Sequence, residues 1–199
     1  KKDYLEQVLK DFDSLARECH AVSVGHGFYE EERSVSHLLS LVMTEVGEVI
    51  EADREGLRAD MGAYERVCGS LGVFRETAYR TYIKESIEAE LADVIIRLAD
   101  LAGYCGITFG EVGIKDMYSD FVSDGYCDKS VTERCYVLYG LLSRYDSEVE
   151  EDVDLGNVVG SAVSFIDSWC RYDGIDIWWH VDKKVSYNKT RPSLHGKRY

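Results

Sequence analysis

The chain has 199 residues, a formal net charge of −14 and a hydrophobic fraction of 45%. That length suffices for one well-buried domain or two very small ones, and we read 1–199 as a single domain. The acidity argues against a nucleic-acid polymer or an anionic membrane surface as partner, because either would need a basic patch.

The opening stretch, KKDYLEQVL, has no apolar signal region. No apolar run approaches the roughly 20 residues that span a bilayer. The six cysteines, Cys19, Cys68, Cys105, Cys127, Cys135 and Cys170, show neither C-x-x-C spacing nor zinc-finger spacing. They read as small buried thiols in a reducing compartment, and the expectation is a cytoplasmic protein with no membrane partner.

Apolar residues at helical spacing predict helices over about 2–21, 34–55, 84–104, 131–151 and 154–172, and a shorter one over about 176–189 with Asp176 near its N-cap. Pro192 is the sole proline, so little forces a break in the interior. Glycines at 25, 27, 56, 103, 106, 125 and 174 mark helix ends. No long run alternates with a period of two, so the fold class is all-α. Residues 57–83 are less regular and rich in aromatics; they read as a lid or flank with one or two short helical turns. Ser130 and Glu133 have capping-box spacing.

A faint repeat relates RLADLAGYCGITFGEVGIKDM (97–117) to FIDSWCRYDGIDIWWHVDKKV (165–185) at an offset of 68. It aligns Ile107 with Ile175, Phe109 with Ile177 and Lys115 with Lys183. Upstream, LLSLVMTEVGEV and VLYGLLSRYDSEV share a helical pattern. A degenerate duplicated helical hairpin, and hence a four-helix core, follows from this reading. Chance similarity of two amphipathic helices is the alternative. The second copy lacks the paired carboxylates of the first.

Those carboxylates carry the chemistry. On a helical wheel, Leu38, Leu41, Val42, Val49 and Ala52 form an apolar stripe with Glu45 in its middle and Glu48 at its edge. An ionised carboxylate buried there costs several kcal/mol, to order of magnitude, unless a partner offsets it or it takes up a proton. Glu90 and Asp93, at i and i+3 of a later helix, could complete a set of four carboxylates around one volume. Oxygen ligands without His or Cys select Mg²⁺, with Mn²⁺ as a substitute. The plain alternatives are a surface ion pair of Asp93 with Arg97 at i+4, and solvated side chains for Glu51 and Glu55. On the wheel, Glu90 and Asp93 fall off the main stripe of Ile87, Leu91, Val94, Ile95 and Leu98. His26 reads as a loop histidine and His37 as a boundary residue. Trp178 and Trp179 read as packing residues, though either of them, or Phe28, could stack on a base.

Three segments, LLSLVMTEVGEVIEADREG, ESIEAELADVIIRLADLAGYCGI and KKVSYNKTRPSLHGKRY, occur in that order. Together they resemble the MazG-like nucleotide pyrophosphohydrolases of the all-α NTP pyrophosphatase superfamily, which includes the dimeric dUTPases. The family pattern is an E-x-x-E helix, an E-x-x-D helix and a C-terminal K-x-x-x-N-x-x-R segment. The resemblance implies a four-helix-bundle core and Mg²⁺ held by Glu45, Glu48, Glu90 and Asp93. It implies substrate phosphates contacted by Lys184, Asn188 and Arg191. The implied reaction converts an NTP or dNTP to its monophosphate plus pyrophosphate. Glu45 and Glu48 are then the catalytic carboxylates, with Glu48 accepting the proton of the attacking water. A homodimer is the family expectation. Thr44 stands where the family often has another glutamate, and residues 108–173 form an extra hairpin relative to compact members, which could instead make a monomer. The alternative reading is a catalytically silent helical nucleotide-binding or interaction module of the same fold.

Overall fold

In the computed structural model, residues 11–70, 75–110, 113–145 and 154–192 are described. Among them there is no strand, and the helices are α1 (Phe12–Gly25), α2 (Val35–Glu55), α3 (Met61–Ser70), α4 (Arg75–Tyr82), α5 (Ile87–Cys105), α6 (Tyr118–Ser123), α7 (Val131–Leu142), α8 (Leu155–Asp173) and α9 (Ile177–Asn188). None of them is long and apolar enough to cross a membrane.

Local chemistry accounts for most of the helix ends. The Ser34, Ser86 and Asp154 side chains accept backbone N–H bonds at the starts of α2, α5 and α8. Ser130 and Glu133 form the expected reciprocal capping box at α7, and Asp176 caps α9 by accepting from the Trp179 N–H. Gly56, Gly106 and Gly174 close α2, α5 and α8 in the left-handed region, which glycine occupies without steric cost. Two expected ends differ. Helix α1 runs on to Gly25, past the expected end at 21, and α7 stops at Leu142 instead of 151. Residues 2–10 and 146–151, which those two expectations also cover, lie outside the described residues.

Helix α5 is the hub. It packs against α1, α2, α8 and α9, while α7 bridges α2 and α8. Thirteen of its nineteen residues are buried, so it has no continuous wet face. The approach of α1 is close: a Cβ on Gly103 would sit 2.5 Å from the Ala16 carbonyl oxygen and 2.7 Å from the His20 Cβ.

Helices α5 and α8 have the same length of 19 residues and the same glycine-closed turn. The Ile107 N–H returns to the Ala102 carbonyl and the Ile175 N–H to the Cys170 carbonyl. The repeat ends there. Ile177 opens α9, whereas Phe109 and Lys115 lie outside any α-helix. The preceding helices also differ in length, 21 residues for α2 and 12 for α7.

The aromatic-rich stretch after α2 forms α3 and α4, which pack on each other. Its cluster of Tyr64, Ala78, Tyr79, Ile83 and Ala89 sits against Trp179 and Tyr187 of α9. The Glu88 carboxylate fastens it by accepting the Ala59 N–H at 3.0 Å. The cysteines are all free thiols; Cys19, Cys135 and Cys170 are buried, whereas Cys105 is exposed, contrary to its reading as a core thiol.

Candidate metal and phosphate site

One cavity of about 300 Å³ gathers side chains from α1, α2, α5 and α9. Helix α2 brings Glu45 and Glu48. Helix α5 brings Glu90, Asp93, Arg97 and Asp100, whose spacing of 3, 4 and 3 residues puts them on one face. Lys184 and Asn188 come from α9, and Arg191 from just beyond its end. Cys19, Val22, Ser23 and Phe28 come from α1 and the turn after it.

The oxygens of Glu45, Glu90 and Asp93 lie within 4.8 Å of one another. Glu48 stands apart from that trio; it is exposed, yet it lines the same cavity. Glu51 and Glu55 are exposed, and Glu51 pairs with Arg54 at 2.8 Å.

Two cations already serve the trio. The Arg97 Nε donates to Glu45 Oε1 at 2.9 Å, and the Lys184 ammonium pairs with Asp93. The alternative of an i, i+4 pair between Asp93 and Arg97 is therefore corrected. Arg97 reaches across to α2, because Glu45 is 5% exposed and needs a counter-charge more than the half-buried Asp93 does. Glu90 was expected off the apolar stripe, yet it is 8% exposed, because α9 covers the side of α5 that the wheel left to water.

Burial, together with the negative charges of Asp93 and Glu48, raises the Glu45 carboxyl above its ordinary pKa, against the opposing pull of Arg97. Burial does most to push Glu90 up to about 8; Asp93, Glu48 and Glu45 add to it and Lys184 opposes it. For Lys184, burial alone would lower the pKa, but Asp93, Tyr79 and Glu90 outweigh it and hold the ammonium charged. Two buried acceptors in this cavity, Glu90 Oε2 and Asn188 Oδ1, receive no hydrogen bond among the described residues.

The residues of the basic C-terminal segment meet here although α9 ends at Asn188, three residues before Arg191. The link is His26, whose Nε2 donates to the Arg191 carbonyl oxygen at 2.9 Å, so it is not the idle loop histidine its position suggested. His37 is a half-buried residue at the start of α2, as expected. Phe28 lines the cavity and Trp178 and Trp179 do not; the Trp178 Nε1 donates to Asp167 and Trp179 packs edge-on against Tyr64.

Sequence reasoning missed Arg97, Asp100 and Ser23 as site residues. The available signal was the run Glu90, Asp93, Arg97, Asp100, four charged positions on one helical face inside an otherwise apolar helix.

The lining holds six carboxylates against four basic side chains. With all of them ionised the excess is two negative charges, which disfavours a bare polyphosphate, and the raised Glu90 and Glu45 carboxyls hold the excess below that near neutral pH. One divalent ion would balance the full excess.

Comparison with protein-family models, with curated proteins and with solved structures finds no match for the chain.

Proposed function

We propose that the chain is a Mg²⁺-dependent nucleoside triphosphate pyrophosphohydrolase with a MazG-like four-helix core, formed by α2, α5, α7 and α8. The observation that carries this reading is the Glu90 Oε2, without a hydrogen-bond partner among the described residues and buried beside the converging oxygens of Glu45 and Asp93. A buried carboxylate oxygen without a donor is costly, and a hard divalent cation satisfies it together with its neighbours. The donor set fits Mg²⁺ or Mn²⁺, being all oxygen.

Glu45, Glu90 and Asp93 hold the ion in this account, with Glu48 completing the set from the exposed rim. When bound, the ion supplies positive charge to the substrate phosphates and lowers the pKa of water. Lys184 and Arg191 offset charge on the phosphate oxygens, Arg191 through its planar fork. The Asn188 Oδ1, which receives no hydrogen bond among the described residues, adds a further oxygen to the same cavity. Water attacks the α-phosphorus, the bond to the bridging oxygen breaks, and pyrophosphate leaves with the electron pair. The Glu48 carboxylate takes the proton of the attacking water; its exposure keeps it near solvent, where that proton can be lost.

A second reading has its own observation. Arg97 and Lys184 already pair with Glu45 and Asp93, so the cluster can persist with no metal, as in a silent nucleotide-binding module. Pyrophosphate release from NTPs and dNTPs, with Mg²⁺ or EDTA, for wild type and Glu48→Gln, separates the two. The hydrolase reading expects metal-dependent release that falls by a hundredfold or more in the variant, on the order of general-base loss. Folded wild-type protein that binds nucleotide and releases nothing would favour the silent module.

A further inference from the structure

The cavity extends beyond the carboxylate trio along α5. Asp100 lies seven residues past Asp93 on the same face, about 10 Å away by helical rise. Arg97, between them, has its guanidinium 5.9 Å from the ring centre of Phe28.

Asp100 is built to stay in place. It is 6% exposed. The Ser23 Oγ donates to its Oδ2 at 2.9 Å and the His20 Nδ1 to its Oδ1 at 3.1 Å. His20 is held edge-on by Tyr29 and Tyr104, whose rings stack on each other at 4.8 Å. Each carboxylate oxygen thus accepts one of these hydrogen bonds, with the Tyr29 hydroxyl close beside them, and the three donors oppose the rise in pKa that burial imposes on the carboxyl. None of this is needed to hold a metal at Glu45, Glu90 and Asp93.

We infer that Asp100, positioned by His20 and Ser23, reads the base of the substrate and selects nucleotides whose base presents an amino edge. This rests on the proposed function, which puts the phosphates at the Glu90 and Lys184 end. From there, the distance to Asp100 is about the span from a nucleotide's phosphorus to the far edge of its base. An ionised carboxylate only accepts hydrogen bonds. It complements the amino groups of guanine, cytosine and adenine, and guanine's ring N–H and amino group side by side match both oxygens. It repels the carbonyl oxygens that flank the ring N–H of uracil and thymine. Val22 and Phe28 supply apolar lining for the ring faces.

The test is equilibrium binding of GMP, CMP, AMP and UMP in the presence of Mg²⁺, alongside kcat/KM for the four corresponding triphosphates. Wild type is expected to bind at least one amino-bearing monophosphate about tenfold or more tighter than UMP, the size of one good base contact. Asp100→Asn, whose amide offers a donor as well as an acceptor, is expected to narrow that gap to within about threefold, with UMP binding gained. The wild-type panel decides the matter even if the variant fails to fold. UMP binding within threefold of all the others overturns the inference, as does no binding of any monophosphate. If monophosphates bind in the expected order while no triphosphate is cleaved, the hydrolase reading falls and base selection stands. If all four triphosphates are cleaved with equal kcat/KM, the hydrolase stands and base selection falls.

Discussion

Replacing Glu90 by Gln separates the electrostatic cost of the cluster from its use. Glu90 is buried among Glu45, Glu48 and Asp93, and its pKa is raised from 4.5 to about 8. A carboxyl whose pKa rises on folding binds its proton more tightly in the folded state. Stability is therefore greatest at low pH and is lost as pH climbs from about 4.5 to 8. The full displacement corresponds to about 5 kcal/mol at most, and relaxation around charges shared with Asp93 and Glu45 brings the expectation to about 2–4 kcal/mol. Gln is close to isosteric with the protonated acid, so the variant should match wild type within about 1 kcal/mol at pH 5 and exceed it at pH 9. Mg²⁺ is expected to close most of that gap. At a hundred times its dissociation constant it should stabilise wild type by about 2.7 kcal/mol, and the variant should lose most of that. Urea denaturation at pH 5, 7 and 9, with and without Mg²⁺, reads both effects. A variant with the wild-type pH slope, or with an undiminished response to Mg²⁺, would refute the reasoning.

Lys184→Met removes the buried cation paired with the half-buried Asp93 and should cost about 3 kcal/mol in chemical denaturation. Mg²⁺ should restore more stability to this variant than it adds to wild type, because the ion replaces the lost charge. Gly103→Ala drives a Cβ into the Ala16 carbonyl at 2.5 Å; separating α1 from α5 should cost about 2–3 kcal/mol and lower the thermal midpoint. Ser130→Ala removes the capping box of α7 and should cost about 1 kcal/mol, with Mg²⁺ and nucleotide binding unchanged by titration calorimetry.

The all-α class and most helix ends were legible because they depend on local chemistry: period, caps and glycine turns. Glu45 was legible for a similar reason. Helix α2 has a wet side, so a wheel can show a carboxylate on the wrong one. The wheel failed on α5, which four other helices surround. Glu90 then looks misplaced from an apolar stripe when it is in fact interior. Arg97 was misassigned because the i, i+4 rule describes an isolated helix, whereas the buried Glu45 across the interface outweighs the neighbour on the same helix. Arg191 joins the cavity through a tertiary bond from His26, 165 positions away, which no local pattern encodes. The α7 end at Leu142 is followed by Ser143, Arg144 and Tyr145, with neither a proline nor a glycine to mark it.

The most direct test of the central claim is to incubate a panel of NTPs and dNTPs with the protein and Mg²⁺ in ¹⁸O-enriched water. Phosphorus NMR and mass spectrometry then follow the products. Attack at the α-phosphorus yields monophosphate and pyrophosphate, with the label in the monophosphate alone and no reaction in EDTA. Label in pyrophosphate, formation of diphosphate and orthophosphate, or inert nucleotides in the presence of folded protein would contradict it.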